Sequence, residues 1–484
     1  MTEHIYASLA LILLLAVAAQ WMSWRLKIPA ILLLLVAGFM VGPGVEAFRG
    51  EGLLNPDALF GDLLFPVVQG AVAIILFEGG LSLKLSELRR AGFAILRLIS
   101  VGLVITWTLA TLFAVVLLDL ELPIALLLGA LLTVTGPTVI GPMLRTIRPR
   151  GNVKHIAKWE GILNDPAGVV LAVLVFEAQL AGGLAGTPGH VVTGVLKTIL
   201  IGTSMTALGA GVIILVIRAK AMPEYLHNIF VLSVVLAVFG LSNAMQEESG
   251  LLTVTLLGVV IANQQVFDIR HIIEFKEQLQ LLLISGLFIV LAARVDADAL
   301  ALVGWESLAY LGALILLVRP VSVLLSTLGS ETNWRERVLL MMLAPRGIVA
   351  VALTSVFAIK LGASDPAAGQ QLLAEMLVVI VGTVVFYGPL AGPVAAALRL
   401  SNLSPQGVLF VGAHSWARRM ARELNKLGIA VLLVDSNRHN ITQAHNEGLP
   451  AEEGNVFSEE FLESLDLSEI GHAVAMTGND EVNA

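Results

Sequence analysis

A bilayer's hydrocarbon core, ~30 Å thick, takes roughly 20 helical residues to cross, and apolar runs of about that length recur from Ile5 to Leu398. Their centres fall near residues 14, 35, 71, 106, 134, 169, 204, 234, 256, 285, 312, 349 and 386, which predicts thirteen transmembrane helices. From about Pro405 the pattern changes to short apolar runs, Gly407–Val411, Ile429–Val434 and His472–Met476, with an amphipathic stretch from Gly412 to Leu427 between the first two. That alternation predicts the strands and helix of an α/β domain. The expected architecture is a polytopic α-helical membrane part over residues 1–400 and a soluble Rossmann-like α/β part over residues 401–484. The residues ahead of the first run, Thr2, Glu3 and His4, supply no basic region, so that run reads as a retained helix and not a cleaved signal peptide.

Two of the spans are interrupted alike. The fifth contains Thr133-Val-Thr135-Gly136-Pro137-Thr138 and the twelfth Ala344-Pro345-Arg346-Gly347, each near mid-membrane. Proline removes a donor and glycine loosens the helix, and backbone groups freed at that depth are tolerated only where they face protein or a cavity. One such break is compatible with a harmless kink. A matched pair in corresponding halves predicts inverted repeats with a binding site between them.

Composition sharpens the class. The chain of 484 residues is 57% hydrophobic and 14% charged, with a mean hydropathy of +0.87, values that exclude an ordinary soluble domain. With no cysteine, disulfides and thiolate metal sites are excluded as well. The net charge of -8 says little, and nothing in it points to nucleic acid. Placement says more. Basic residues collect in the odd-numbered connections, from Arg25 and Lys27 through Lys84, Arg89 and Arg90 to Arg335 and Arg337, with Arg145, Arg148, Arg150, Lys154 and Lys158 the densest group, whereas the even-numbered ones hold only Arg49, Arg294 and Lys360. The positive-inside bias then puts the odd connections and the C-terminal domain in the cytoplasm and the N-terminus outside, in a cell (inner) membrane.

Against that background the charges inside the spans are the candidate chemistry. Ionisable groups in hydrocarbon are costly and mark ion or proton paths. The sixth span carries Glu160-Gly-Ile-Leu-Asn164-Asp165-Pro166. Glu160 and Asn164 are four residues apart on one face, while Asp165 is rotated by about 100° and can face a cavity. Arg346, inside the second break, is suited to neutralise half-helix carbonyl ends and to pair with an acid. The expected bridge is Glu160 with Arg346, leaving Asp165 to hold a proton and a monovalent cation in turn. Glu78, near the end of the third span, is a second membrane acid that either attracts the ion or reaches for solvent. Lys197, Arg97 and Arg319 are expected to snorkel from helix ends.

Taken together, Asn164-Asp165 after Glu160, Thr135-Gly136-Pro137 in one broken span and Pro345-Arg346-Gly347 in the other resemble the sodium/proton exchanger branch (NhaP-like) of the monovalent cation/proton antiporters, over about residues 5 to 398. The resemblance implies a homodimer of thirteen-helix protomers, each with a dimerisation part and a mobile core part, working by elevator-type alternating access in pH homeostasis. It implies electroneutral exchange carried by Asp165, Glu160 and Arg346 as the acid-arginine bridge, and Thr135 offering a main-chain oxygen. No cofactor is implied for transport; Na+ or K+ is substrate. Two positions depart from the family. Gly136 stands where an aspartate is usual, and Gly161 where a serine often follows the glutamate. Both remove oxygens that a hard cation needs in place of hydration, so water, backbone carbonyls, Thr138 or Glu78 must supply them.

Gly407–Val411, the turn Gly412-Ala-His414, the following helix and a second strand ending at Asp435 form the dinucleotide-binding pattern. The order resembles the nucleotide-binding half of TrkA-N (regulator-of-potassium-conductance) domains. Gly412, His414 and Asp435 are the candidate ligand residues, for AMP, ATP or NAD(H) as a regulatory ligand, although His414 occupies the place of a glycine that would admit a pyrophosphate. Residue 484 follows soon after the fourth-strand region, which predicts an incomplete domain. Two alternatives share parts of this picture. A potassium channel gated by such a domain needs a carbonyl filter, and Val385-Phe386-Tyr387-Gly388-Pro389 is not one. A Kef-like ligand-gated potassium efflux system shares the architecture but typically lacks the Asn-Asp pair. An enzyme is not expected.

Overall fold

A computed structural model of the chain describes residues 2–26, 30–46, 52–147, 149, 152–180, 188–264, 266, 270–294, 303–362, 365–401, 406–456, 461, 465, 467 and 469–477. The chain divides into two compact units, one of Met1–Arg145 with Asn152–Ala391, the other of Thr146–Gly151 with Gly392–Ala484.

The first unit is helical. Its opening helices are α1 (Thr2–Leu26), α2 (Ala30–Phe39), α3 (Leu64–Leu81), α4 (Leu85–Arg97), α5 (Leu103–Leu118), α6 (Leu122–Leu131), α7 (Pro137–Ile147) and α8 (Val153–Leu180). They are followed by α9 (Pro188–Arg218), α10 (His227–Met245), α11 (Ser249–Ala262), α12 (Arg270–Ala293), α13 (Trp305–Ala313), α14 (Arg319–Ser326), α15 (Trp334–Met341), α16 (Ile348–Gly362) and α17 (Pro366–Ala397). Among the described residues, eight helical stretches are long and apolar enough to cross a membrane, and five further apolar helices are shorter. Large apolar side chains lie open on their outer faces, with Leu14, Val17 and Leu200 each 69% exposed. Such faces are stable only against lipid or another apolar partner.

Packing sorts these helices into two groups. α3, α9 and α10 pack on α11, and α2, α1 and α3 pack on α12. In the other group α6 and α13 pack on α5, while α8 packs on α6 and α15. α8 and α16 also reach α3, so they line the seam between the groups. α8 is the interior helix: 78% of its apolar window is buried, against 17–56% in the other long ones.

The second unit carries a parallel sheet of β1 (Gly407–Val411), β2 (Val431–Asp435), β3 (Ala451–Glu453) and β4 (Ile470–Ala475), in the order β3-β2-β1-β4. α18 (Ser415–Lys426) and α19 (Arg438–Asn446) follow β1 and β2 in sequence. Phe410, Leu433, Ala417, Ala421, Ile441 and Ala444 bury the faces the sequence pattern assigns to the core. Gly412 has φ +107°, and a Cβ there would lie 2.6 Å from the Met476 carbonyl oxygen, so only glycine serves.

Candidate functional site

The two breaks fall where the glycine and proline residues place them. α6 ends at Leu131 and α7 starts at Pro137, α15 ends at Met341 and α16 starts at Ile348, and the unwound segments meet at Gly136 and Gly347. A Cβ on Gly136 would sit 2.7 Å from both the Cα and the nitrogen of Gly347. The Gly136 N–H donates to the Pro345 carbonyl at 3.2 Å, so the crossing is main chain on main chain. That contact is the physical reason for glycine where the family's aspartate is usual: this crossing has no room for a side chain.

α8 lies against the crossing. The Thr135 hydroxyl donates to the Gly161 carbonyl at 3.1 Å, and a Cβ on Gly168 would collide with the Thr133 hydroxyl, so α8 is held close to the first break. Asp165 is wholly buried and Asn164 is 5% exposed. Among the described residues, neither carboxylate oxygen of Asp165 nor Oδ1 of Asn164 has a hydrogen-bond partner. The Thr135 main-chain amide and the Arg346 guanidinium are the groups that act electrostatically on Asp165. Buried polar atoms are nearly always satisfied, so these three oxygens beside two unwound helices are the group in the site with bonding capacity to spare. Pro166 adds to it by withholding an N–H from the Ile162 carbonyl.

The acid-arginine bridge is not the expected one. Glu160 pairs with Arg319, which engages both carboxylate oxygens, Nη1 with Oε1 and Nη2 with Oε2 at 3.0 Å. Arg319 was expected to snorkel, yet it is 6% exposed and also donates to the Leu340 carbonyl at 2.8 Å, at the end of α15. Its five N–H groups thus meet both a carboxylate and a freed helix end, a geometry a fork-shaped guanidinium fits. The sequence signal was a charge followed by Pro320 well inside an apolar span. The π-helical turn Leu314–Val318 just before Arg319 is a further local irregularity. Arg346 keeps the other half of its expected role: its Nη1 donates to the Val134 carbonyl at 3.2 Å, a group freed by the first break. Among the described residues no carboxylate lies within ion-pair distance of it, and its positive charge acts on Asp165 from across the site.

Of the other candidates, Glu78 is half-buried near the end of α3, where a side chain on the adjacent Gly79 would meet Ile162 of α8 at 3.6 Å. Thr138 belongs to α7, and its side chain, like that of Pro137, is outside the described residues. Two further acids had no place in the sequence reading. Glu375 of α17 is 3% exposed and accepts from the Ser307 hydroxyl at 2.7 Å. Glu248, in the turn between α10 and α11, accepts from the Gln69 amide at 3.3 Å.

In the second unit the loop after β1 is closed on itself. Asp435 accepts from the Ala413 N–H, the Asn437 N–H and the Asn440 side chain, each at 2.8 Å. Partial burial pushes its carboxyl up, but these donors outweigh burial and hold it below the ordinary aspartate range. The His414 ring caps α18 by accepting from the Ala417 N–H, and its other nitrogen faces the Met476 carbonyl. Helix N-terminus and acid, the two features a dinucleotide uses, are therefore both engaged by the protein, and the residues as arranged do not fit that ligand.

Comparison with known proteins places these features. Residues 10–397 match the family described as "Sodium/hydrogen exchanger, transmembrane", and residues 408–484 match the TrkA-N domain. The chain is 27% identical over 333 residues to the K(+)/H(+) antiporter NhaP2 of Shewanella oneidensis, covering 67% of this chain and 56% of that protein. It is 27% identical over 399 residues to the K(+)/H(+) antiporter NhaP of Alkalimonas amylolytica, covering 81% and 66% respectively, so it spans less than two thirds of either relative. With Na(+)/H(+) antiporter 1 of Methanocaldococcus jannaschii it shares 25% identity over 370 residues, 72% of this chain and 81% of that one. In fold it resembles the sodium proton antiporter MjNhaP1 of the same organism, with a TM-score of 0.68 and 21% identity over 82% of this chain and 99% of that one.

Proposed function

The chain belongs to the sodium/hydrogen exchanger family and carries a TrkA-N domain, and from that premise we propose that it is a secondary antiporter exchanging Na+ or K+ for H+. The observation that carries the reading is the trio of buried oxygens on Asp165 and Asn164, unpartnered among the described residues at the crossing of two broken helices. Names of relatives support both ions. A site short of two oxygen-bearing side chains, at Gly136 and Gly161, suits the larger and more weakly hydrated K+ as well as Na+.

The steps follow from charge. Glu160 is neutralised by Arg319, so it takes no part in turnover. Asp165 is left facing the Arg346 charge, and either a proton or a monovalent cation adds one positive charge to it. Both loaded states then carry the same site charge, which makes one-for-one exchange electroneutral. Proton and cation compete for the same oxygens, and competition at one carboxylate suffices for coupling. Alternating access is supplied by movement of the helix group holding α8 and α16 past the group holding α3 and α11, an elevator-type motion. Thirteen spans, inverted repeats, a homodimer and a cytoplasmic tail complete the reading, supported by the matched breaks and the alternation of basic connections. Regulation by the TrkA-N domain belongs to it too; a nucleotide there requires His414 to leave the α18 N-terminus, and no step of exchange is routed through one.

The test is proton flux in proteoliposomes with a pH-sensitive dye, adding sodium, potassium or lithium in turn under a valinomycin clamp. Cation-driven flux insensitive to voltage is expected, and its loss in Asp165→Asn with the protein still monodisperse. Normal exchange by that variant sinks the assignment; a large uncoupled potassium current moves the protein to the channels.

A further inference from the structure

A narrow cavity of about 20 Å³ lies in the seam between the two helix groups, enough for an ordered water. Its walls are apolar: Phe65, Val68 and Val72 from α3, and Val349, Ala352, Leu353 and Val356 from α16. The polar groups on it among the described residues are Gln69 of α3 and Glu248, the latter a carboxylate. Val349 on its wall is two residues past Gly347 of the second break. Val356, also on its wall, lies a turn before Lys360, which pairs with Glu247 at 3.3 Å.

We propose that Glu248 is a cation-receiving carboxylate at one mouth of the exchange pathway, holding a sodium or potassium ion transiently between water and Asp165. The inference rests on the exchanger reading above. A cation crossing an apolar seam pays heavily for lost hydration unless a fixed negative charge meets it on the way. Glu248 is the carboxylate in position to do so, and Gln69 orients it through the bond to Oε1. Gln69 and Glu78 both belong to α3 and are nine residues apart, about 13 Å along the helix. As the walls stand, only water fits; the seam opens when α16 moves away from α3 and α11, as alternating access requires. By the orientation inferred from the basic connections, the Glu248 mouth is the outer one.

The group is also tuned to compete with protons. Burial pushes its carboxyl up to about 7, with Lys360 of α16 opposing and Glu247 of the same turn adding to the shift. Gln69 is the polar group facing it from α3 and is uncharged. Glu248 is therefore ionised, and able to hold a cation, above about pH 7 and is neutralised by protons below it.

The experiment compares the full-length protein with Glu248→Gln and Glu248→Asp in proteoliposomes, with NaCl or KCl presented to one face at a time and ionic strength set with choline chloride. Glu248→Gln is expected to raise KM for the cation at the outer face by about three- to tenfold at low ionic strength, with the maximal rate and the inner-face KM held. The rise is expected to be full at pH 8, to fade at pH 6 and to shrink with added salt. Glu248→Asp keeps the charge and should remain near the parent. A rise equal at both faces, or a fall in maximal rate alone, marks a structural residue and overturns the proposal, as does an unchanged KM. A rise confined to the inner face keeps the role and overturns the orientation. Failure of the parent to exchange at all falls on the exchanger reading instead.

Discussion

At the scale of single residues, buried charge is governed by whatever partner lies nearest in space. Glu160 and Arg346 are both inside broken or interior helices, and nothing local in the chain distinguishes Arg346 from Arg319 as the partner. The packing of α14 beside α15 does so, because it brings Arg319 within reach of Glu160 and of the Leu340 carbonyl together. Arg319→Ala leaves an uncompensated buried carboxylate, a loss of about 3–5 kcal/mol. Arg346→Ala removes a hydrogen bond to Val134, a smaller loss of about 1–3 kcal/mol. Thermal unfolding in detergent should therefore show the lower midpoint for Arg319→Ala. The reverse order would restore Arg346 as the structural partner. The burial of Asp165 was legible, since an aspartate beside asparagine and before proline in an apolar span is carried inside with its helix.

Among the elements, the broken helices were readable and their contact was not. Thr135-Gly136-Pro137 and Pro345-Arg346-Gly347 announce interruptions through residues that cannot continue a helix. That Gly136 and Gly347 touch depends on how α6, α7, α15 and α16 are carried by their neighbours. Gly347→Ala places a methyl against the Gly136 main chain, and overpacking of this kind costs about 1–3 kcal/mol. Because the crossing shapes the space around Asp165, the variant should lose exchange out of proportion to its stability. Dye-quench rates set against melting midpoints check this, and normal rates in Gly347→Ala would show that the crossing is not part of the site. The Rossmann-like order of the tail was equally legible, but the engagement of Asp435 by Ala413, Asn437 and Asn440 is a matter of loop closure that spacing does not reveal.

For the whole molecule, the absence of cysteine turns orientation into a direct measurement. A single cysteine at Asp365, beside the Lys360 end of α16, should react with a membrane-impermeant maleimide from outside intact cells. One at Asn425 of the tail should react only after lysis, and labelling of both from outside would overturn the topology. Class, membrane embedding, the two interruptions and the α/β tail were determined by the sequence alone, and Asp165 was singled out there as the proposed carrier, because hydropathy, helix breaking and the cost of charge in hydrocarbon act residue by residue. Which arginine meets Glu160, why Gly136 must be glycine, and the placing of Glu248 with Gln69 on an apolar cavity were decided only by tertiary structure. Each depends on distances between groups far apart in the chain, and those distances are set by the packing of helices that no local pattern encodes.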